Sequence, residues 1–230
     1  MKRILILSIF VLALMMANFV QAQDCNYFTL SKGNVFGYQN LDAKGKVTGT
    51  TTTTCLDVVK AGLATNFKVK SEYTDSKNSK PSIHEYTLRC ENGNFYMDMQ
   101  GFMDPKSMES LEGMELKVDS KDMMYPSVLS AGETLPNASI TISASSGGMN
   151  IMNMIINITN RKVVGNESVT VPAGTFDCYK LTYDVETKMM FKTNTTVVEY
   201  INMGVGNVKT ETFDKKGKVA ATTVLSELKR

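Results

Sequence analysis

The amino-acid sequence predicts a mainly β protein. The expected architecture is a single curved antiparallel sheet of about ten strands, a half-barrel or open barrel, with one short helical segment. Three observations carry this. Short runs rich in Thr, Val, Ile, Tyr and Phe alternate polar and apolar residues along most of the chain. One hairpin can be checked for register from both of its strands. Two turn sequences are near copies of each other.

The checkable hairpin is centred on Asn92-Gly93, a strong two-residue turn signal. With that turn, Cys90 faces Phe95, Leu88 faces Met97 and Tyr86 faces Met99. These six share one apolar face, with His84 beyond them. Arg89, Glu91, Asn94, Tyr96 and Asp98 share the other. A slip of one residue would mix the faces, so the agreement of two strands argues for this register. Phe67, Val69, Ser71 and Tyr73 alternate in the same way with Lys68, Lys70 and Glu72. So do Met152, Met154, Ile156 and Ile158 with their neighbours, and Tyr179, Leu181, Tyr183 and Val185 with theirs. One buried and one wet face is the pattern of an antiparallel sheet. Asp42-Ala-Lys-Gly-Lys-Val47 and Asp214-Lys-Lys-Gly-Lys-Val219 are the repeated turns, with a weaker third copy at Asp75.

Two places break the strand pattern. Asp104-Pro105 reads as a helix cap followed by proline at the first helical position. The helix expected there runs to about Glu112, within a helical region of roughly 104–124 that covers part of the concave face. Residues 125–136, with Pro, Ser and Gly, read as a long loop.

Residues 1–22 form a signal peptide: Lys2 and Arg3, an apolar run over 4–20, then Val20-Gln21-Ala22 before the cut. Residues 23–230 are then a single antiparallel β domain, exported to the periplasm or secreted. Asp24 before Cys25 argues against a lipid anchor. Removing the leader's two basic residues leaves 23 basic and 23 acidic side chains. That balance speaks against nucleic acid as a partner, and no later stretch has the length of a transmembrane segment. In an oxidising compartment Cys25, Cys55, Cys90 and Cys178 suggest two disulfides, with three pairings open.

Catalytic signals are weak. His84 is the only histidine, and its place on an apolar face beside Tyr86 reads as structural. Glu109, Glu112 and Glu115 look like a solvated face. No nucleophile-elbow, metalloprotease, phosphate-loop or dinucleotide motif occurs. The expectation is therefore no enzyme, no catalytic residues, no cofactor and no bound metal.

Methionine is the compositional anomaly, with sixteen in the chain. Met is pliable and polarizable, so it fills cores and also lines promiscuous apolar sites. Core filling, a groove for lipid or acyl chains, and a Cu(I) thioether site are the three readings. The groove reading places Phe95, Met97, Met99, Met103, Met108, Met152 and Met154 around an apolar ligand.

The segment Val164-Gly-Asn-Glu-Ser-Val-Thr-Val-Pro-Ala-Gly-Thr-Phe-Asp-Cys-Tyr-Lys-Leu181 has a distinctive Val-Pro-Ala-Gly-x-Phe element. With Tyr200-Ile-Asn-Met-Gly-Val-Gly-Asn-Val-Lys209 and Asp24-Cys-Asn-Tyr-Phe28 it resembles the TapB-like exported proteins of Gram-negative bacteria, a family with a domain of unknown function. The resemblance implies a one-sheet half-barrel similar in outline to the LolA/LolB-type lipoprotein carriers, and it transfers no catalytic residues. The expected function is thus a non-enzymatic exported envelope protein that binds or carries an apolar small molecule or lipid. The alternative is a structural scaffold of the cell envelope, with a filled core and protein partners.

Overall fold

The computed structural model describes Phe28, residues 30–102, Leu111 and residues 113–230. The fold is mainly β, with thirteen strands in one sheet, more than the ten or so expected. The first five are β1 (Val35–Asp42), β2 (Val47–Ala61), β3 (Ala64–Asp75), β4 (Asn78–Glu91) and β5 (Asn94–Met97). A 3₁₀ turn over Met99–Phe102 follows, then β6 (Glu115–Lys121), β7 (Met123–Tyr125), β8 (Ala138–Ser146) and β9 (Met149–Val171). The last four are β10 (Gly174–Lys188), β11 (Lys192–Asn202), β12 (Gly206–Phe213) and β13 (Val219–Lys229). Every strand pair is antiparallel, in the order β6-β8-β9-β10-β11-β12-β13-β1-β2-β3-β4-β5-β7.

The expected helical region needs correcting. Residues 103–110 and Glu112, and with them Met103 and Met108, lie outside the described residues. From Glu115 the chain is strand instead. Leu116 and Val118 alternate with Lys117 and Asp119, and β6 is an exposed edge strand. Its charges suit an unpaired edge, where lysine and aspartate discourage further pairing.

The two sheet edges are one stretch of chain. Residues 115–121 pair with β8, Asp122 intervenes, and residues 123–125 pair with β5. Switching partners part-way brings both ends of the sheet together, so the barrel is nearly closed. Beside β7 the remaining gap is filled by the expected loop. Its backbone binds β9 through Gly132 N to Val163 O at 2.8 Å and Leu135 N to Arg161 O at 2.9 Å. Leu129 and Leu135 are buried beneath it. Arg161, fully buried, donates through Nη1 to Met124 O and to Pro136 O, both at 2.8 Å. One guanidinium therefore ties the closing strand and the loop to the sheet. Its Nε and Nη2 have no hydrogen-bond partner, a desolvation cost that the cation–π contact with the Tyr125 ring at 4.8 Å partly offsets.

The hairpin register expected from sequence is observed: Cys90 pairs Phe95 and Leu88 pairs Met97. Asn92 and Gly93 have φ of 51° and 76°, the two positive values a type I′ turn requires. Met99 leaves the ladder for the 3₁₀ turn, and Gly101 packs on Tyr86 in its place. The repeated turns are true copies. Asp42 Oδ1 accepts from the backbone of Lys44 and Lys46, and Asp214 Oδ1 from that of Lys216 and Lys218. The Asp75 copy has the first of these bonds, from Lys77.

The cysteines depart from expectation. Cys55 and Cys178 are buried free thiols, so two disulfides are not formed. Cys90 is the disulfide-bonded one among the described cysteines, and Cys25 lies outside them. Both thiols face the apolar interior. Cys55 shares the inner face of its strand with Thr51 and Thr53, and the shift at Lys180/Leu181 puts Cys178 on the same side as Leu181, where burial pushes the Cys178 thiol up to about 11.

Candidate functional site

Alternate hairpins of a meander share an end. The turns at 61–64, 91–94, 171–174 and 202–206 lie at one end of the barrel. Those at 42–47, 75–78, 146–149, 188–192 and 213–219 lie at the other. Between the two ends, on the side formed by β10 to β13 and β1 to β5, is a cavity of about 360 Å³.

Its floor, towards the first end, is apolar: Phe28, Phe36, Leu88, Phe95 and Met97. Phe28 is set there by Gly206, whose φ is +87°; a Cβ at that position would lie 2.2 Å from the Phe28 ring. Gly206 is therefore a seat for an aromatic plug, since only glycine accepts both the backbone angle and the contact. Phe28 stacks on Phe36 with centroids 5.1 Å apart and meets Phe95 edge-on at 5.7 Å.

Towards the other end the lining turns polar. Thr51, Thr53, Ser71, Thr210, Thr212 and Thr223 point inward from four strands. Tyr38, Tyr86, Tyr183 and Glu199 form the middle band. Glu199 is almost wholly buried. Its Oε2 accepts from Tyr125 Oη at 3.0 Å, and its Oε1 accepts a long 3.4 Å bond from Asn207 Nδ2. Burial pushes its carboxyl up to about 7, opposed by the Tyr125 hydrogen bond and the Arg161 charge. Burial likewise lifts the Tyr38, Tyr125 and Tyr183 phenols, helped by the nearby Glu199 charge. Asn207 Oδ1 faces this cluster with no partner.

Of the residues expected at an apolar groove, Phe95 and Met97 line this cavity. Met99 is fully buried beside it, in the 3₁₀ turn. Met152 and Met154 lie on β9, paired with Ala144 and Ile142 in the packed half of the barrel. The methionines are thus divided between a cavity, a core and, at Met149, Met189 and Met190, the surface. Tyr38, Tyr86, Glu199 and the inward threonines were missed. Their signal was present: five consecutive threonines, Thr50 to Thr54, with no apolar alternate, and one glutamate inside Val197-Val-Glu-Tyr-Ile201. A strand without an apolar face reads as exposed, yet here its inner face borders a hollow.

His84 is half-buried and stacks on Tyr86, with centroids 5.7 Å apart. No cluster of three or more His, Cys, Asp or Glu suited to a metal ion occurs among the described residues. A second depression, on the outer face of β9 to β12, holds Asp184, Glu186 and Asp214. These carboxylates are taken: Asp184 by Asn160 and Thr196, Glu186 by Lys188 and Lys192, and Asp214 by its own turn.

A nearly closed antiparallel barrel with an interior cavity and a plugged end defines the class of this protein. Within that class, residues 31–225 match the DUF3108-like family, and the chain belongs to it. It is similar to a candidate exported protein of Bacteroides fragilis with a YmcC-like fold, at 19% identity and a TM-score of 0.75 over 90% of this chain and 100% of that one. It is also similar to a candidate lipoprotein of Parabacteroides distasonis, at 26% identity and a TM-score of 0.72 with the same coverage. No curated protein matches it. These matches do not support the TapB-like resemblance or the likeness to LolA/LolB-type carriers.

Proposed function

We propose that this protein is a non-enzymatic exported envelope protein whose barrel binds or carries an amphipathic ligand with an apolar chain. The observation that carries the reading is the cavity: its volume lies in the range of small-molecule sites, about 300–1,000 Å³, and its lining is graded from aromatic floor to hydroxyl-rich wall. An acyl chain would rest on Phe28, Phe36 and Phe95, with its polar end among the threonines, near Glu199. An exported setting is in keeping with the descriptions of the two similar structures. The scaffold alternative requires a filled interior, and the cavity beside the packed core favours a binder over it.

The test is uptake of a fluorescent fatty-chain probe by residues 23–230, read as enhanced emission. Wild type is expected to bind it saturably. Thr53→Phe, which puts a ring into the cavity at the expense of the Thr53–Tyr86 hydrogen bond, should lower uptake at least about tenfold while leaving the β circular dichroism unchanged. Absence of uptake by wild type, or equal uptake by the filled variant, overturns the reading.

A further inference from the structure

The two ends of the barrel differ in chemistry. At the plugged end, the turns at 61–64, 171–174 and 202–206 carry no charged side chain, and that at 91–94 carries no cation, only Glu91. At the opposite end, the 42–47 turn presents Lys44 and Lys46, and the 213–219 turn presents Lys215, Lys216 and Lys218. The aspartates that open those turns are folded onto their own backbone amides, so the lysines form the outward layer.

The 188–192 turn belongs to this end. Its tip is apolar and bare: Met189, Met190 and Phe191 are 52%, 89% and 80% exposed. Lys188 and Lys192 flank it, both held against its base by Glu186. The neighbouring β8–β9 hairpin runs past the point where Lys188 pairs with Ile155 and exposes Met149 and Ile151, at 69% and 55%. Five large apolar side chains thus project beyond a lysine-bearing rim. Apolar residues at the tip and cations one layer back match a bilayer in depth, with acyl chains beneath anionic headgroups. A protein partner would not call for that layering. The rim also surrounds the polar, threonine-lined side of the cavity.

We infer that this end of the barrel docks on an anionic membrane surface, with Met189, Met190 and Phe191 inserted between the headgroups and the lysines of the adjoining turns above the phosphates. The inference concerns where the molecule sits and does not depend on what the cavity holds.

The chain contains no tryptophan, which makes the experiment direct. Phe191→Trp in residues 23–230 supplies a single reporter, to be mixed with vesicles of phosphatidylcholine alone or with about a third phosphatidylglycerol. The expected result is a blue shift and quenching by brominated acyl chains with the anionic vesicles, weakened by high salt. In flotation with the same vesicles, Met190→Asp combined with Phe191→Asp should lower binding at least about tenfold. Val164→Asp, at an exposed apolar site on the outer wall, should leave it unchanged. A reporter that stays in water, flotation indifferent to the aspartates, or equal loss with Val164→Asp overturns the proposal. So does a tip that binds a protein partner but no vesicle. Loss of probe uptake with membrane docking intact would fault the carrier reading alone.

Discussion

Strands β8 and β9 turn Ile140, Ile142, Met154 and Ile158 inward and bury them almost completely. Strands β2, β12 and β13 turn Thr51, Thr53, Thr210, Thr212 and Thr223 inward and leave about 360 Å³ between them. The two walls belong to one sheet and follow the same period of two, but they differ in what their inner faces can do. Branched aliphatic chains interlock at interior density and gain by excluding water. Threonine has valine's shape, but its hydroxyl needs a partner, so a wall of threonines resists dry packing. The barrel is one half core and one half vessel.

The largest expected effect tests the packed half. Ile158→Ala, at a site with no exposure, should cost about 3–4 kcal/mol, the lost transfer energy plus a cavity that rigid neighbours cannot close. The shift in urea midpoint measures it, and a loss under about 1 kcal/mol would mean that this half is also loosely filled.

Next is the charge in the wall of the vessel. Glu199 is raised from an ordinary 4.5 to about 7 in the folded protein. Between those values the native state holds a proton that the unfolded chain has released, so stability falls as pH rises through that window. At pH 8 the buried carboxylate should cost on the order of 3 kcal/mol, a figure that already includes the opposing Arg161 charge. Glu199→Gln keeps an acceptor for Tyr125 and carries no charge. Urea unfolding at pH 5 and pH 8 should therefore show a decline in wild type that the variant lacks. A parallel decline in both would assign the titration to other groups.

The smallest effect concerns the floor. Gly206→Ala should cost about 2 kcal/mol through its positive φ and the clash with Phe28. Because the clash expels an aromatic ring from the cavity, the variant should accept a longer probe chain than wild type. Unchanged chain-length preference would show that Phe28 does not set the depth.

Much of the fold was legible because period-two alternation and turn chemistry are local. The Asn92-Gly93 register and the Asp42 and Asp214 turns were read correctly from a few residues each. Three features were not legible, and each depends on distant parts of the chain. Strands β6 and β7 take their identity from β8 and β5, not from their own propensity. The expectation of two disulfides fails because Cys55 and Cys178 stay free and buried in the core, and which cysteines meet depends on strands far apart in the chain. Methionine signals burial and so points to an apolar groove, whereas the cavity's lining owes as much to Thr, Tyr and one Glu. Of the residues expected there, Phe95 and Met97 qualified because the hairpin register had already placed them on the inner face.

The neighbours of β1 have a consequence for the order of assembly. This strand lies between β2, its immediate successor, and β13, which ends at Lys229. A chain emerging from its amino end can lay down β1 to β5 early, but one edge of β1 then waits, unpaired, for the last strand to arrive. The β1–β13 pairing joins segments separated by nearly the whole chain, so loop-closure entropy makes it the slowest of the pairings to form. Until it occurs the Val35–Asp42 edge is open to any extended peptide, and a truncation that removes only Val219–Lys229 would leave an open ribbon with that edge bare.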